Sequence, residues 1–286
     1  SLVGSEMCIR DRIEMTQVHK HGFVKLLEVM GNDEEVENAA RISYGEGTRK
    51  VSQTRNLIRY LMRHKHTSPF EMCEVKFHLK LPIFVMRQLV RHRTANINEY
   101  SGRYSLMSDE FYLPAEADVQ EQSSSNNQGR GQDLDENNKM LVLGRMHAIT
   151  DQAKECYRQI ATPTPLDGFY EGFKGIAREL ARTVLPVSNY TECIWKIDLN
   201  NFFHFAKLRM DAHAQKEIQD YANAMYELVK PKFPICCEAF EDYVLNSKTF
   251  SAKEMKIIKD NLNGSWVMSK YGLSERESKE FLEKLK

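Results

Sequence analysis

The 286-residue chain lacks net charge, because 40 lysines and arginines balance 40 aspartates and glutamates. The bulk attraction that most nucleic-acid and anionic-membrane binders use is thereby removed, and any phosphate site must be local. No apolar stretch approaches the roughly 20 residues that span a bilayer, and no apolar h-region opens the chain. No glycine-rich dinucleotide fingerprint follows a strand, and Gly45-x-Gly47 is too short a match to serve as one. Ser101 has no G-x-S-x-G elbow around it, which argues against a serine nucleophile. The six cysteines, Cys8, Cys73, Cys156, Cys193, Cys236 and Cys237, are scattered with no C-x-x-C pair. Reduced thiols fit this spacing better than a disulfide framework, and a soluble, cytoplasmic protein is expected. His64-x-His66 lacks a nearby Cys or carboxylate to complete a ligand set, so no metal is expected.

What the chain does have is one crowded run, Arg91-His92-Arg93-Thr94-Ala95-Asn96-Ile97-Asn98-Glu99-Tyr100-Ser101-Gly102-Arg103-Tyr104-Ser105. Guanidiniums are permanently charged planar forks that bind phosphate in bidentate fashion. Such crowding repels itself unless an anion or acid answers it. A lone arginine such as Arg182 is more often a solvated surface group. The run therefore points to a pocket for a phosphorylated ligand.

Periodicity places the run. Phe23 to Val29 reads as a strand, and Asn32 caps a helix with acids in its first turn, running to about Ser43. A second helix from about Ser52 puts Leu57, Ile58, Leu61 and Met62 on one face and stops before Pro69. Cys73 to Leu81 alternates, with Val75, Phe77, Leu79 and Leu81 on one side, as a half-buried antiparallel strand does. Pro82 opens a helix that carries Gln88 and Arg91 on one face. The signature run then lies at a helix end and the loop beyond it. Pro114 to Glu136 is polar and serine- and asparagine-rich, and is expected to be a mobile loop or lid. Helices are expected from Glu136 to Ile160 and from Gly168 to Val184, with a strand from Asn189 to Ile197. Asp198 then caps one long helix through Val229, on which Arg209 and His213 share a face and Tyr221, Met225 and Val229 form a core stripe. Strands interrupted by single helices without a βαβ rhythm give an α+β fold: an antiparallel sheet flanked by helices in a single large domain. Its expected span is residues 13–246, preceded by an extension over 1–12 and followed by a charged helical extension over 247–286 in which Leu273, Phe281 and Leu285 are the sparse apolar points.

Arg91-His92-Arg93, seven residues and then Ser101 resemble the signature of the flavin-dependent thymidylate synthases. The resemblance covers about residues 16 to 245. His66-Thr67-Ser68-Pro69-Phe70-Glu71 is similar to a second family segment, and Ala181-Arg182-Thr183-Val184-Leu185-Pro186 to a third. Leu208-Arg209-Met210-Asp211 with His213-Ala214-Gln215 and Glu217-Ile218 resembles the family's second arginine-bearing helix. The resemblance implies the family's fold and reductive methylation of dUMP to dTMP, with FAD as cofactor and NADPH and 5,10-methylenetetrahydrofolate as co-substrates. It also implies a homotetramer with shared active sites. Carried over residue by residue, it gives Gln88, Arg91, Ser101, Gly102, Arg103, Arg182 and Arg209 to dUMP, with Arg209 also catalytic. It gives His66, Ser68, Arg91, His92, Arg93, Glu99, Asn200, His204 and His213 to FAD. Two other readings stay open: a flavin- or nucleotide-binding homologue without turnover, and an RNA-binding module built on Arg91 to Tyr104.

Overall fold

The computed structural model describes residues 14–42, 54–124 and 129–261, together with 275, 276 and 279. The expected extension over 1–12, the helix ends at Ser43 and Ser52, Gly45 and Gly47, and Leu273, Phe281 and Leu285 lie outside the described residues. The chain divides into two compact units, Ser1–Leu245 and Asn246–Lys286.

In the first unit the elements follow in chain order: β1 Met15–Val18, β2 Gly22–Met30, α1 Asp33–Arg41, α2 Thr54–Arg63, α3 Ser68–Glu71, β3 Glu74–Pro82, α4 Ile83–Leu89 and β4 Asn96–Glu99. Next come β5 Gln120–Gln122, β6 Arg130–Asp133, α5 Glu136–Ala161, α6 Arg178–Ala181, β7 Tyr190–Asp198, α7 Leu199–Arg209, α8 Lys216–Val229 and α9 Pro234–Phe240. In the second unit α10 spans Ala252–Asn261. An antiparallel five-stranded sheet runs in the order β1-β2-β3-β7-β4, which is the expected α+β arrangement.

The alternation in β3 decides which face is core. Val75, Phe77, Leu79 and Leu81 are fully buried, and the facing strand β7 buries Cys193, Trp195 and Ile197 in register with them. Phe77 stacks on Phe202 of α7 at 6.0 Å, and Phe203 stacks on Phe240 of α9 at 4.6 Å. The Tyr221, Met225 and Val229 stripe of α8 is buried in the same core. The opposite face of the sheet is polar. Lys76 sits directly across from Lys196, a like-charge pair that would destabilise the ladder, but Glu28 answers Lys76 and Glu74 answers Lys196.

Four expectations are corrected. Part of the signature loop, Asn96 to Glu99, is the edge strand β4 on β7. The Pro114 to Glu136 segment is not structureless: β5 and β6 pair, and Arg130 of β6 bridges Asp118 and the buried Glu217 of α8; positions 125–128 lie outside the described residues. The helix expected over Gly168 to Val184 shrinks to α6 and a 3-10 turn, Arg182–Val184. Gly168, Gly172 and Gly175 hold φ of 73°, 86° and 96°, a left-handed backbone that no helix tolerates. Finally, the long helix from Asp198 breaks between α7 and α8. Asp198 does cap α7, accepting from the Asn201 N–H at 2.9 Å. Asp211, however, accepts from the His213 N–H at 2.8 Å, and this local turn competes with the helical ladder. Arg209 and His213 consequently do not share a helical face.

Candidate active site

The strand-helix-strand path β3-α4-β4 carries the signature run to the edge of the sheet. β4 places Glu99 against Cys193, and the Tyr100 N–H donates to the Glu192 carbonyl at 2.8 Å, which extends the ladder by one residue. The chain then turns on Ser101, whose carbonyl accepts from the Tyr104 and Ser105 N–H groups, both at 3.1 Å. Glu99 is oriented by Thr191, whose hydroxyl donates to its carboxylate at 2.9 Å. These residues wall a cavity of about 320 Å³ formed by Glu99, Tyr100, Ser101, Gly102 and Arg182, with Ile83, Met107 and Leu185 as its apolar side. The volume lies within the range of small-molecule sites. Gly102 keeps this wall open: a Cβ there would stand 2.6 Å from Met107 Sδ and 3.2 Å from Arg182 Cδ, so both flexible side chains would have to shift.

Beside α4 lies a second constellation. Arg209, the last residue of α7, donates from Nε to His92 Nε2 at 3.0 Å and from Nη2 to the Gln88 carbonyl at 3.4 Å. A guanidinium has no acceptor, so Nε2 must carry its lone pair toward Arg209 and the imidazole is neutral. Burial first, then the Arg209 charge and His204, lower the His92 pKa from 6.5 to about 4. Phe205 and His204 flank the ring at 5.0 and 6.3 Å between centroids. Burial also draws Arg209 below its ordinary value. The Gln88 side chain donates to Gln215 at 2.6 Å, so the break between α7 and α8 is tied back to α4.

The remaining sequence candidates are spread along the surface. Ser68 opens α3, and His66 lies just before it, 5.8 Å from the Tyr60 ring. Arg91 does not share a helical face with Gln88 as expected, because α4 ends at Leu89; Arg91 and Arg93 are exposed in the turn that follows, and Asn200 is half-buried in the first turn of α7. Arg103 is exposed and pairs with Glu179 at 3.3 Å. His213 is exposed and pairs with Asp211 at 2.8 Å. Of the sequence candidates Glu99, Ser101, Gly102 and Arg182 line the 320 Å³ cavity, whereas Gln88, Arg91, Arg103 and Arg209 do not, nor do His66, Ser68, His92, Arg93, Asn200, His204 and His213. Glu99, which the resemblance assigns to flavin, lines the cavity together with Ser101, Gly102 and Arg182. Sequence reasoning assigned no role to Tyr100, Ile83, Met107, Leu185 and Gln215. Tyr100, Leu185 and Gln215 lie inside the family-like segments, whereas Ile83 and Met107 are brought in by the fold, and no local spacing marks them.

The sequence profile of the family described as Thymidylate synthase complementing protein (Thy1) matches residues 25–235. The flavin-dependent thymidylate synthase of Gluconobacter oxydans (strain 621H) is 48% identical over 262 residues, covering 91% of this chain and 84% of that protein. The flavin-dependent thymidylate synthase of Treponema denticola (strain ATCC 35405) is 47% identical over 268 residues, covering 93% and 94%. Among solved structures, the UMP/dUMP methylase PolB from Streptomyces cacaoi bound with 5-Br UMP is similar, with a TM-score of 0.69, 32% identity and coverage of 81% of this chain and 99% of that one. Matches of this extent, with Glu99, Tyr100 and Ser101 of the signature lining a cavity, show that the chain belongs to the flavin-dependent thymidylate synthase family.

Proposed function

We propose that this enzyme reductively methylates dUMP to dTMP, with FAD as cofactor, 5,10-methylenetetrahydrofolate as one-carbon donor and NADPH as reductant. The observation that supports this most is the cavity at the signature, where Arg182 and the Ser101 hydroxyl stand beside an apolar wall. A nucleotide phosphate is a dianion, and guanidiniums at Arg91, Arg103 and Arg182 offset its desolvation through charge-assisted bonds. Ser101 and the backbone at Gly102 add neutral contacts, and Gln88 and Arg209 face the pyrimidine. Arg209 stabilises negative charge that develops on the ring, an electrostatic role worth about 3 kcal/mol by analogy with oxyanion donors.

The donor set fits FAD as well. Exposed guanidiniums at Arg91 and Arg93 suit its pyrophosphate, and His66, Ser68, His92, Asn200, His204 and His213 offer polar contacts for the rest, with Glu99 nearest the nucleotide. When bound, the flavin supplies the hydride chemistry, so no nucleophilic side chain is needed.

We also propose a homotetramer with shared sites. In one protomer Arg91, Arg93, Arg103, Arg182, His204 and His213 are exposed. So are Met140, Leu141, Val142 and Ile149 on α5 and Val90, Ile97 and Tyr104 around the signature. Exposed apolar side chains of this kind suit a surface that a second subunit covers. No described helix is long and apolar enough to cross a membrane, and free thiols at Cys73, Cys193, Cys236 and Cys237 fit a reducing cytoplasm.

Turnover separates this reading from a binding homologue. Purified protein given flavin, NADPH, dUMP and methylenetetrahydrofolate is expected to form dTMP, and retained ligand binding without product would favour the homologue. Steep salt dependence of RNA binding would favour the RNA-binding reading.

A further inference from the structure

We propose that His92 is a positioning residue for Arg209, acting as the neutral acceptor that fixes which edge of the guanidinium faces the pyrimidine. The inference rests on the reading above that Arg209 contacts the pyrimidine, and it adds to the flavin role that resemblance gives His92.

Three observations carry it. The Arg209 guanidinium is held at two points of one edge, Nε on His92 Nε2 at 3.0 Å and Nη2 on the Gln88 carbonyl at 3.4 Å. Among the described residues Nη1 has no hydrogen-bond partner, which leaves that donor free for a ligand. The imidazole is itself fixed, with Phe205, wholly buried in the core, packed edge-on against it at 5.0 Å. Arg209 is the last residue of α7, just ahead of the break between α7 and α8, where a long side chain has little local restraint. Two anchors remove rotamers that the guanidinium would otherwise sample, so less entropy is lost when dUMP binds. A second restraint acts on the same corner, since Gln215 accepts from Gln88 and braces the helix whose carbonyl takes Nη2. Protonated His92 could not serve, because both ring nitrogens would then donate.

The test is a double-mutant cycle on flavin-loaded protein, reading the dUMP dissociation constant by calorimetry and bound flavin by its absorbance. His92→Leu removes the acceptor, and His92→Gln places an amide oxygen near the position of Nε2. At saturating added FAD, with bound flavin read for each variant and affinities compared at equal loading, His92→Leu is expected to weaken dUMP binding about tenfold, and by less than about twofold in an Arg209→Gln background, since contacting residues couple. His92→Gln is expected to restore dUMP affinity to within about threefold of the parent, the rescue an acceptor role predicts and a packing role does not. If His92→Leu costs as much with Arg209→Gln as without it, or if both His92 variants lose dUMP only in step with lost flavin, the inference is overturned. If Arg209→Gln alone leaves dUMP affinity unchanged, the placement of Arg209 at the pyrimidine fails first, and that result is distinct from additivity. His92→Gln keeps the test decisive should His92→Leu fail to fold.

Discussion

At Arg209 the geometry makes a specific demand on the side chain: one edge is anchored and the other is presented. A lysine is a point charge and cannot do both. Arg209→Lys is therefore expected to keep measurable dUMP binding while kcat falls about a hundredfold, a loss of the size seen for oxyanion donors; steady-state kinetics at saturating dUMP checks it, and turnover equal to the parent would contradict it. His92 predicts a pH dependence. Its folded pKa of about 4 lies below the ordinary 6.5, through burial first and then the charge of Arg209 and the neighbouring His204. The unfolded chain thus binds the proton more readily, so the stability from neutral His92 is fully present above pH 6.5 and is lost as pH falls toward 4. Denaturant titration across that window is expected to give a shallower slope for His92→Gln than for the parent. The cysteines point the same way as the flavin chemistry. Burial raises the thiols of Cys73 to about 11 and of Cys193 and Cys237 to about 12, and pushes Cys236 upward too. A thiolate nucleophile is disfavoured at all four, and Cys→Ser variants that fold should still form dTMP.

At the scale of elements, the β3-α4-β4 path and the β5-β6 hairpin show how far the sequence could be read. The β3 alternation, the Asp198 cap and the α8 stripe were legible because periodicity and capping are local. The β4 edge strand was not, because Asn96 to Glu99 is exposed at every position and becomes a strand only through pairing with β7. The break between α7 and α8 escaped because Asp211 acts through a side-chain turn that helical spacing does not register. Glycines at 168, 172 and 175 were the overlooked signal against a helix there. Most signature residues are legible in the sequence, and Leu185 and Gln215 lie in the family-like segments, whereas Ile83 and Met107 reach the cavity only through the fold. Two predictions belong here. Gly102→Ala is expected to raise the dUMP KM about tenfold, the order that one misplaced methyl group costs in a pocket, while leaving the melting temperature nearly unchanged because Met107 Sδ is the far end of a flexible side chain. A melting temperature that falls with no change in KM would instead mark Gly102 as purely structural. Arg130→Met leaves Glu217, 2% exposed, without its cation. Breaking a fully buried pair costs about 3 to 5 kcal/mol, and because Arg130 is itself partly solvated a loss of about 2 kcal/mol is expected by urea denaturation.

For the whole molecule, the balanced charge and the exposed apolar surface of α5 belong together. A chain without net charge has no electrostatic barrier to self-association, and Met140, Leu141 and Ile149 provide a surface for it. Light scattering is expected to report a tetramer, and a charged substitution at Leu141 should lower the assembly state and dTMP formation in parallel; a fully active monomer would contradict shared sites. The reductive route through the flavin is read most directly by mass spectrometry of both products after incubation with FAD, NADPH, dUMP and methylenetetrahydrofolate. Thymidylate together with tetrahydrofolate is the predicted result, because the reducing hydride then comes through the flavin. Thymidylate with dihydrofolate, or no thymidylate from protein that retains its flavin, would contradict it.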